Sequence, residues 1–237
     1  MPIRMNATGF AGLYVTGTDT GVGKTVASCA LLHALRGRGL RAVGMKPVAS
    51  GCERVEGAWR NADALALQAA SDPAPAYDDL NPFALRHPLA PELAARDDGV
   101  EVTLPPLVDA HARLRAHADV VVVEGVGGWA APLATDVSQA DLVRALDLPV
   151  VLVVGLRLGC LNHAFLTARA IAADGIRLVG WIGNAIDPDM ARREDNLRLL
   201  ADGLPVPCWG VLPHDASADG VAHARRLQLP EALRRMR

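Results

Sequence analysis

The sequence predicts an α/β fold in one domain, built on a mostly parallel sheet with helices on both faces. Three observations predict it. Short runs rich in Val, Ile and Leu alternate with helical patterns; 51% of the 237 residues are hydrophobic against 21% charged; and no linker long enough to separate domains interrupts them. Parallel strands require a crossover of a dozen or more residues, usually a helix, so strict alternation is their signature. A mean hydropathy of +0.19 supplies apolar material for a core and excludes a disordered chain.

In chain order, the strand candidates are Gly12 to Thr16, Arg41 to Met45, Asp119 to Val123, Pro149 to Gly155, Leu178 to Gly183 and Val206 to Leu212. Each is a short apolar run with β-branched residues, closed by a polar or Gly-rich break, as expected of strands buried on both faces. Helical patterns lie between them at Thr25 to Arg36, Ala62 to Ala70, Leu107 to Ala116, Ser138 to Ala145, Asn162 to Ala173 and Asp189 to Ala201. The stretch from Ser71 to Pro106 is rich in Pro and acidic residues with one short helical stretch near Pro91, and it reads as an excursion over the sheet. A single domain over residues 1–237 follows.

A net charge of -2 and a pI near 6.4 leave no basic field for nucleic acid or an acidic membrane surface. Cys29, Cys52, Cys160 and Cys208 are far apart with no CxxC pair, which argues against a zinc knuckle or disulfide framework and fits a reducing cytoplasm. The longest apolar run, Pro149 to Leu156, is far shorter than the roughly 20 residues a membrane span needs, and no export signal opens the chain. HExxH, GxSxG and clustered His and Cys are missing, so zinc and hydrolytic-triad chemistries lose support. The seven scattered His residues, His111 and His117 among them, receive no role.

Directly after the first strand candidate comes Gly17-Thr18-Asp19-Thr20-Gly21-Val22-Gly23-Lys24-Thr25, which runs straight into an Ala/Leu helix. Its glycines let backbone N–H groups turn onto an anion, and the helix start adds the positive end of its dipole. Lys24 reaches β and γ phosphates, and the Thr25 hydroxyl suits Mg²⁺. The pattern GxxxxGK[ST] would place Gly where this chain has Thr18, so the loop is a variant form and the fold is P-loop NTPase-like.

Of 24 basic residues only Lys24 and Lys46 are lysines, the rest being Arg. A lysine kept against such a bias marks a place for a compact ammonium that a planar guanidinium does not fit. Lys46 ends the second strand candidate, at the sheet edge where open parallel sheets gather ligands. The run from Asp119 to Glu124 delivers a carboxylate at a strand end, followed by Gly125-Val126-Gly127-Gly128; this is Walker-B-like, suited to Mg²⁺ and to close approach by a second ligand. Asp63 lies in the first turn of a helix, where any carboxylate is favoured. Asn184 is either a turn former or a donor and acceptor for an adenine edge, and composition does not separate the two.

Six strings in order, GTDTGVGKT, KPVASG from Lys46, RNADALAL from Arg60, VEGVGGW from Val123, LGCLNHA from Leu158 and GWIGN from Gly180, resemble the dethiobiotin synthetase family between about Leu13 and Pro213. The resemblance implies an ATP- and Mg²⁺-dependent cyclo-ligase of biotin synthesis that closes a ureido ring from 7,8-diaminopelargonic acid and CO₂. In that reaction a carbamate attacks the γ-phosphate, and a second amine displaces phosphate from the mixed anhydride. Lys24, Lys46 and Thr20 are then implied to act in catalysis, with Thr25, Asp63 and Glu124 on Mg²⁺. Gly21, Val22, Gly23, Lys24, Thr25, Glu124, Asn184 and Pro213 are implied for ATP. Lys46, Ser50, Gly127 and Gly128 are implied for the diamine, whose distant carboxylate falls to Gly159, Cys160, Leu161 and Asn162 across a homodimer interface.

Three positions depart from the family pattern: Gly21 stands where some members carry Glu, Val126 replaces a smaller residue, and Glu92 stands where an uncharged residue or His is expected. Two competing functions use the same geometry. A partitioning-type switch ATPase would carry a lysine five residues before Lys24, where this chain has Asp19. A small-molecule kinase is separated only by its product.

Overall fold

The computed structural model describes residues 12–215 and 219–234. Its elements run β1 (Gly12–Gly17), α1 (Lys24–Arg36), β2 (Ala42–Met45), β3 (Val48–Ala49), β4 (Glu53–Val55), β5 (Ala58–Arg60), α2 (Ala62–Ala70), α3 (Tyr77–Leu80) and β6 (Phe83–Ala84). They continue α4 (Pro91–Asp98), α5 (Leu104–His117), β7 (Val120–Glu124), α6 (Gln139–Leu146), β8 (Val150–Gly155), α7 (Cys160–Ala173), β9 (Leu178–Asn184), α8 (Arg193–Gly203), β10 (Cys208–Leu212) and α9 (Gly220–Ala224). Six strands form one sheet in the order β10-β9-β8-β1-β7-β2, and every pairing in it is parallel.

Successive side chains of a strand point to opposite faces, and here the two sets separate cleanly. Leu13, Val15, Val120, Val122, Val151 and Val153 pack beneath α1 and α2. Tyr14, Val121, Val123 and Val150 face α5 and α6, while Leu152 and Val154 face α7 and α8. The six expected strands are therefore present, with helices on both faces. Burying each such Val or Leu contributes roughly 1.5–3 kcal/mol. Among the described residues no helix is long and apolar enough to cross a membrane.

The stretch from Ser71 to Pro106 holds more order than its composition suggests. β2 is an edge strand, and its free edge would expose unpaired backbone groups. The chain after α2 covers that edge: Gly44 N donates to Ser71 Oγ at 2.8 Å, Asp72 N to Ala42 O at 2.9 Å, and Lys46 N to Leu80 O at 2.8 Å. Only then does the stretch cross onto the sheet, where α4 buries Ala94 and Ala95 against the core around Val43 and Met45.

Three expected boundaries need correction. α5 begins at Leu104 rather than Leu107, because Pro105 and Pro106 occupy its first turn, where no N–H is required. α7 starts at Cys160 behind Gly159 rather than at Asn162, and α8 starts at Arg193 rather than Asp189. Several short elements have no counterpart among the expected ones: the β3 and β6 pair, α3, the β4 and β5 hairpin, and α9. β4 and β5 form a hairpin about Glu56-Gly57, whose φ values of 52° and 84° suit a two-residue turn matching the strand twist. α9 lies against α1.

Candidate active site

The parity that sorts the core also aims the site. Val120 and Val122 face α1, so Glu124 at the end of β7 faces α1 as well; Ala42 leads to Lys46 and Ile182 to Asn184 in the same way. Three strand ends thus deliver one carboxylate, one ammonium and one amide to the side on which the loop from Gly17 to Thr25 opens into α1.

Lys46 is 3% exposed and sits just beyond β2. Its Nζ donates to Glu124 Oε1 at 2.6 Å, to Asp63 Oδ2 at 3.1 Å and to Gly125 O at 3.3 Å. Glu124 is 0% exposed, and its Oε1 also accepts the Thr25 hydroxyl at 2.9 Å. Lys24 Nζ donates to Gly127 O at 2.7 Å and Asp19 O at 3.0 Å. Thr20, Gly21, Gly23, Ser50, Asp63 and Gly127 line the same cleft of about 400 Å³ with the two lysines.

The two ammonium groups differ in their charge balance. Burial opposes charge on Lys46, but Glu124 and Asp63 outweigh it and hold the Lys46 ammonium above the ordinary lysine value. Burial also acts on Lys24, and with the neighbouring Lys46 ammonium it lowers that group to about 8. Burial likewise opposes charge on Asp63, and Lys46 prevails, keeping its carboxyl below the usual carboxylate range. Two ammoniums and two carboxylates cancel, so the cleft has no surplus positive charge to offer a polyphosphate.

A divalent cation would supply that surplus, and the donors present fit one. Thr25, Asp63 and Glu124 offer hard hydroxyl and carboxylate oxygens, and Glu124 Oε2 is buried without a hydrogen-bond partner among the described residues. Because no group of three or more His, Cys, Asp or Glu side chains forms a closed cation site among the described residues, nucleotide and water would complete the shell. That is the usual arrangement for Mg²⁺.

Thr25 also lines a second cavity of about 450 Å³, with Cys29, Asn184, Pro213, His214 and His223. Asn184 Nδ2 donates to Val22 O at 3.0 Å, so this side chain braces the phosphate loop. Gly23, with φ 83°, has no room for a Cβ, which would lie 1.9 Å from Asn184 Nδ2. Gly159 caps α7 with φ 94° and no side-chain partner. Cys160 is 2% exposed and points into the core beneath α7, so that loop offers its backbone rather than its thiol. Gly128 and Leu161, with Asn162, lie on the Gly loop and the start of α7.

Several positioning residues escaped the sequence reading. Arg157 Nη2 meets Asp19 Oδ2 at 2.8 Å and ties the loop before α7 to the phosphate loop. Asn61 caps α2, accepting Asp63 N at 3.0 Å and Ala64 N at 3.2 Å, while its Nδ2 donates to Ser50 O at 3.3 Å. An Asn directly before an apolar helix is a recognisable start signal; the bridge between Asp19 and Arg157 leaves none. Of the departures, Gly21 takes φ 73°, Val126 packs against the core, and Glu92 Oε1 accepts the Thr135 hydroxyl at 3.1 Å. His111 is buried on α5, as a packing residue, with its imidazole lowered to about 4 by burial.

A family model described as an AAA domain matches residues 11–222. A protein of Xanthomonas oryzae pv. oryzae (strain PXO99A) named ATP-dependent dethiobiotin synthetase BioD is 66% identical over 217 residues, covering 92% of this chain and 97% of that protein. One of the same name from Xylella fastidiosa (strain 9a5c) is 68% identical over 204 residues, covering 86% and 90%. Among solved structures, signal recognition particle receptor FtsY from Elizabethkingia anophelis in complex with GDP has a TM-score of 0.55 at 18% identity, over 98% of this chain and 64% of that one. The MinD cell division protein of Aquifex aeolicus has a TM-score of 0.53 at 14% identity, over 91% and 87%. At those identities the two structures speak to the fold alone.

Proposed function

The chain belongs to the ATP-dependent dethiobiotin synthetase family, and on that premise we propose that it converts 7,8-diaminopelargonic acid, CO₂ and ATP to dethiobiotin, ADP and phosphate. The observation that carries this reading is Lys46 held between Glu124 and Asp63 on the same rim as Lys24. A phosphate-binding lysine alone would serve many reactions; a second, buried ammonium beside it suits a second anion once a divalent cation offsets Glu124 and Asp63.

One amine of the substrate adds to CO₂ and loses a proton, forming a carbamate. A carbamate oxygen attacks the γ-phosphorus and ADP leaves, giving a carbamic-phosphoric anhydride. The second amine then attacks the carbonyl carbon; the new C–N bond forms as the C–O bond to phosphate breaks, and the amine proton is lost as the ring closes. Each step gathers anions, and the protein's part is to hold them together. Lys46 brings carbamate oxygen and γ-phosphate to one ammonium, and Lys24 offsets charge on the transferring group. Thr20 and Ser50 contact phosphate or substrate, and Gly127 and Gly128 let the diamine approach the backbone. Mg²⁺ held by Thr25, Asp63 and Glu124 would neutralise phosphate charge when bound. The adenine lies in the cavity of Asn184 and Pro213.

The distant carboxylate of the substrate meets the α7 start at Gly159, Cys160, Leu161 and Asn162, completed by a second copy of the chain. In support, Leu158 is 93% exposed and Leu166 53% exposed on that side. All four cysteines are free, which suits a cytoplasmic enzyme working as one domain. The test is turnover with diamine, bicarbonate and Mg-ATP, with products identified by mass. A cyclic urea with ADP and phosphate, lost when bicarbonate is withheld, is the expected result. A phosphorylated product in solution, or ATP hydrolysis indifferent to the diamine, would overturn the reading in favour of a kinase or a switch ATPase.

A further inference from the structure

Gln139, the first residue of α6, is 0% exposed, and both ends of its amide are engaged. Nε2 donates to the carbonyls of Val126 at 2.9 Å and Ala131 at 3.4 Å, and also to that of Gly128. Oε1 accepts the Tyr14 hydroxyl at 2.7 Å. A capping box between Ser138 and Asp141 fixes the start of α6, so the amide is delivered from a rigid mount. Tyr14 belongs to the opposite face of β1 from the phosphate loop, and burial pushes its hydroxyl well above the usual value, so it stays a donor.

Val126 and Gly128 flank Gly127, whose carbonyl accepts Lys24 Nζ at 2.7 Å. With the carbonyls on either side pinned toward α6, the Gly127 peptide turns the other way, at φ 65°, and faces the cleft. The clamp also fills the space beside Gly125, where a Cβ would lie 2.4 Å from Gln139 Oε1 and 2.7 Å from Tyr14 Oη. A residue serving only to fill the core there would be apolar; a buried amide satisfied on every side specifies one backbone path.

We infer that Gln139 is a positioning residue for the ring-closing reaction: by holding the carbonyls of Val126 and Gly128 it aims the Gly127 carbonyl at the Lys24 ammonium and sets the Gly127-Gly128 wall of the substrate cleft. This rests on the function proposed above. Gln139→Met has similar bulk and no donor, while Gln139→Glu keeps an acceptor for Tyr14 but sets carboxylate oxygen against carbonyl oxygens. Tyr14→Phe leaves the Gln139 donors in place.

The experiment is the bicarbonate-dependent assay on the wild-type protein and these variants, with thermal melting in the presence and absence of ADP. In both Gln139 variants kcat is expected to fall about 10- to 100-fold with the KM for ATP changed less than about threefold, as for an interaction that matters in the transition state. ADP should still raise their melting temperatures, and Tyr14→Phe should keep kcat within about threefold of wild type. Wild-type kcat in either Gln139 variant would overturn the inference, and so would a Tyr14→Phe loss equal to that of Gln139→Met, the mark of a packing role. Should neither Gln139 variant fold, Gln139→Asn keeps the amide and draws it back by one methylene; unchanged kcat there overturns the inference and a loss with KM retained supports it. A wild-type protein that makes no cyclic urea sinks the proposed function instead, so the two failures are distinct.

Discussion

Replacing Lys46 by Met removes the ammonium and keeps most of its stem. What remains is Glu124, with its side chain wholly buried, held only by the Thr25 hydroxyl. Breaking a buried pair by removing one partner costs roughly 3–5 kcal/mol, because the other charge is left without compensation. Asp63 adds little, since its side chain is 45% exposed and water screens it. For a chain of this size about 1 kcal/mol moves the melting temperature by roughly 2–4 °C, so the expected fall is about 6–20 °C. The pH dependence has a definite sign. The folded Lys46 value is raised, so its contribution is complete below the ordinary lysine value and is lost only as pH rises through the folded one. The folded Asp63 value is lowered, so its smaller share is lost as pH falls through that value. The gap between wild type and variant should therefore be flat around neutrality and close in strong base. Calorimetric melts from neutral pH upward check this, with the double variant Lys46→Met/Glu124→Gln as control. Removing the stranded charge should return stability to within about 1–2 kcal/mol of wild type, while turnover stays abolished. A single variant melting within about 3 °C of wild type, or a double variant no better than the single, would mean that Glu124 is not stranded by loss of Lys46.

Four further outcomes are expected. Because Lys24 and Lys46 are the only lysines, mass-resolved acetylation reads each separately: Lys24, lowered to about 8, should label at mildly alkaline pH and be protected by ATP, while Lys46 should not label. The lowered Lys24 value also means that stability from this group rises with pH from about 8 toward the ordinary 10.5, which melts of a Lys24→Met variant would show by difference. Gly180→Ala would place a Cβ 2.2 Å from Nε1 of the buried Trp209; overpacking of about 1–3 kcal/mol should lower the melting temperature by roughly 2–12 °C with kcat of the folded protein unchanged. Asn61→Ala should cost about 1 kcal/mol as a lost helix cap, and kcat should fall further, about tenfold, because Asp63 and Ser50 share that anchor.

The strands of the sheet, their ends, the phosphate loop and the prominence of Lys24, Lys46 and Glu124 are legible in the sequence. All of these are encoded within a few positions: the period-2 parity of a buried strand, the glycines before a helix, a lysine kept where Arg is the rule. The same parity, extended two residues past Val122 and four past Ala42, even tells which face Glu124 and Lys46 take. Which groups meet there is set by packing between distant segments. The pair of Lys46 and Glu124 spans 78 positions and that of Tyr14 and Gln139 spans 125, distances at which local pattern carries no information. The edge of β2 is closed by Ser71 and Leu80 for a comparable reason, since the need for those hydrogen bonds arises only once β2 has become the outermost strand. Charge balance belongs to the same level. Whether a buried lysine is held charged or driven toward neutrality depends on the carboxylates within about 3 Å of it, and those are brought there by packing.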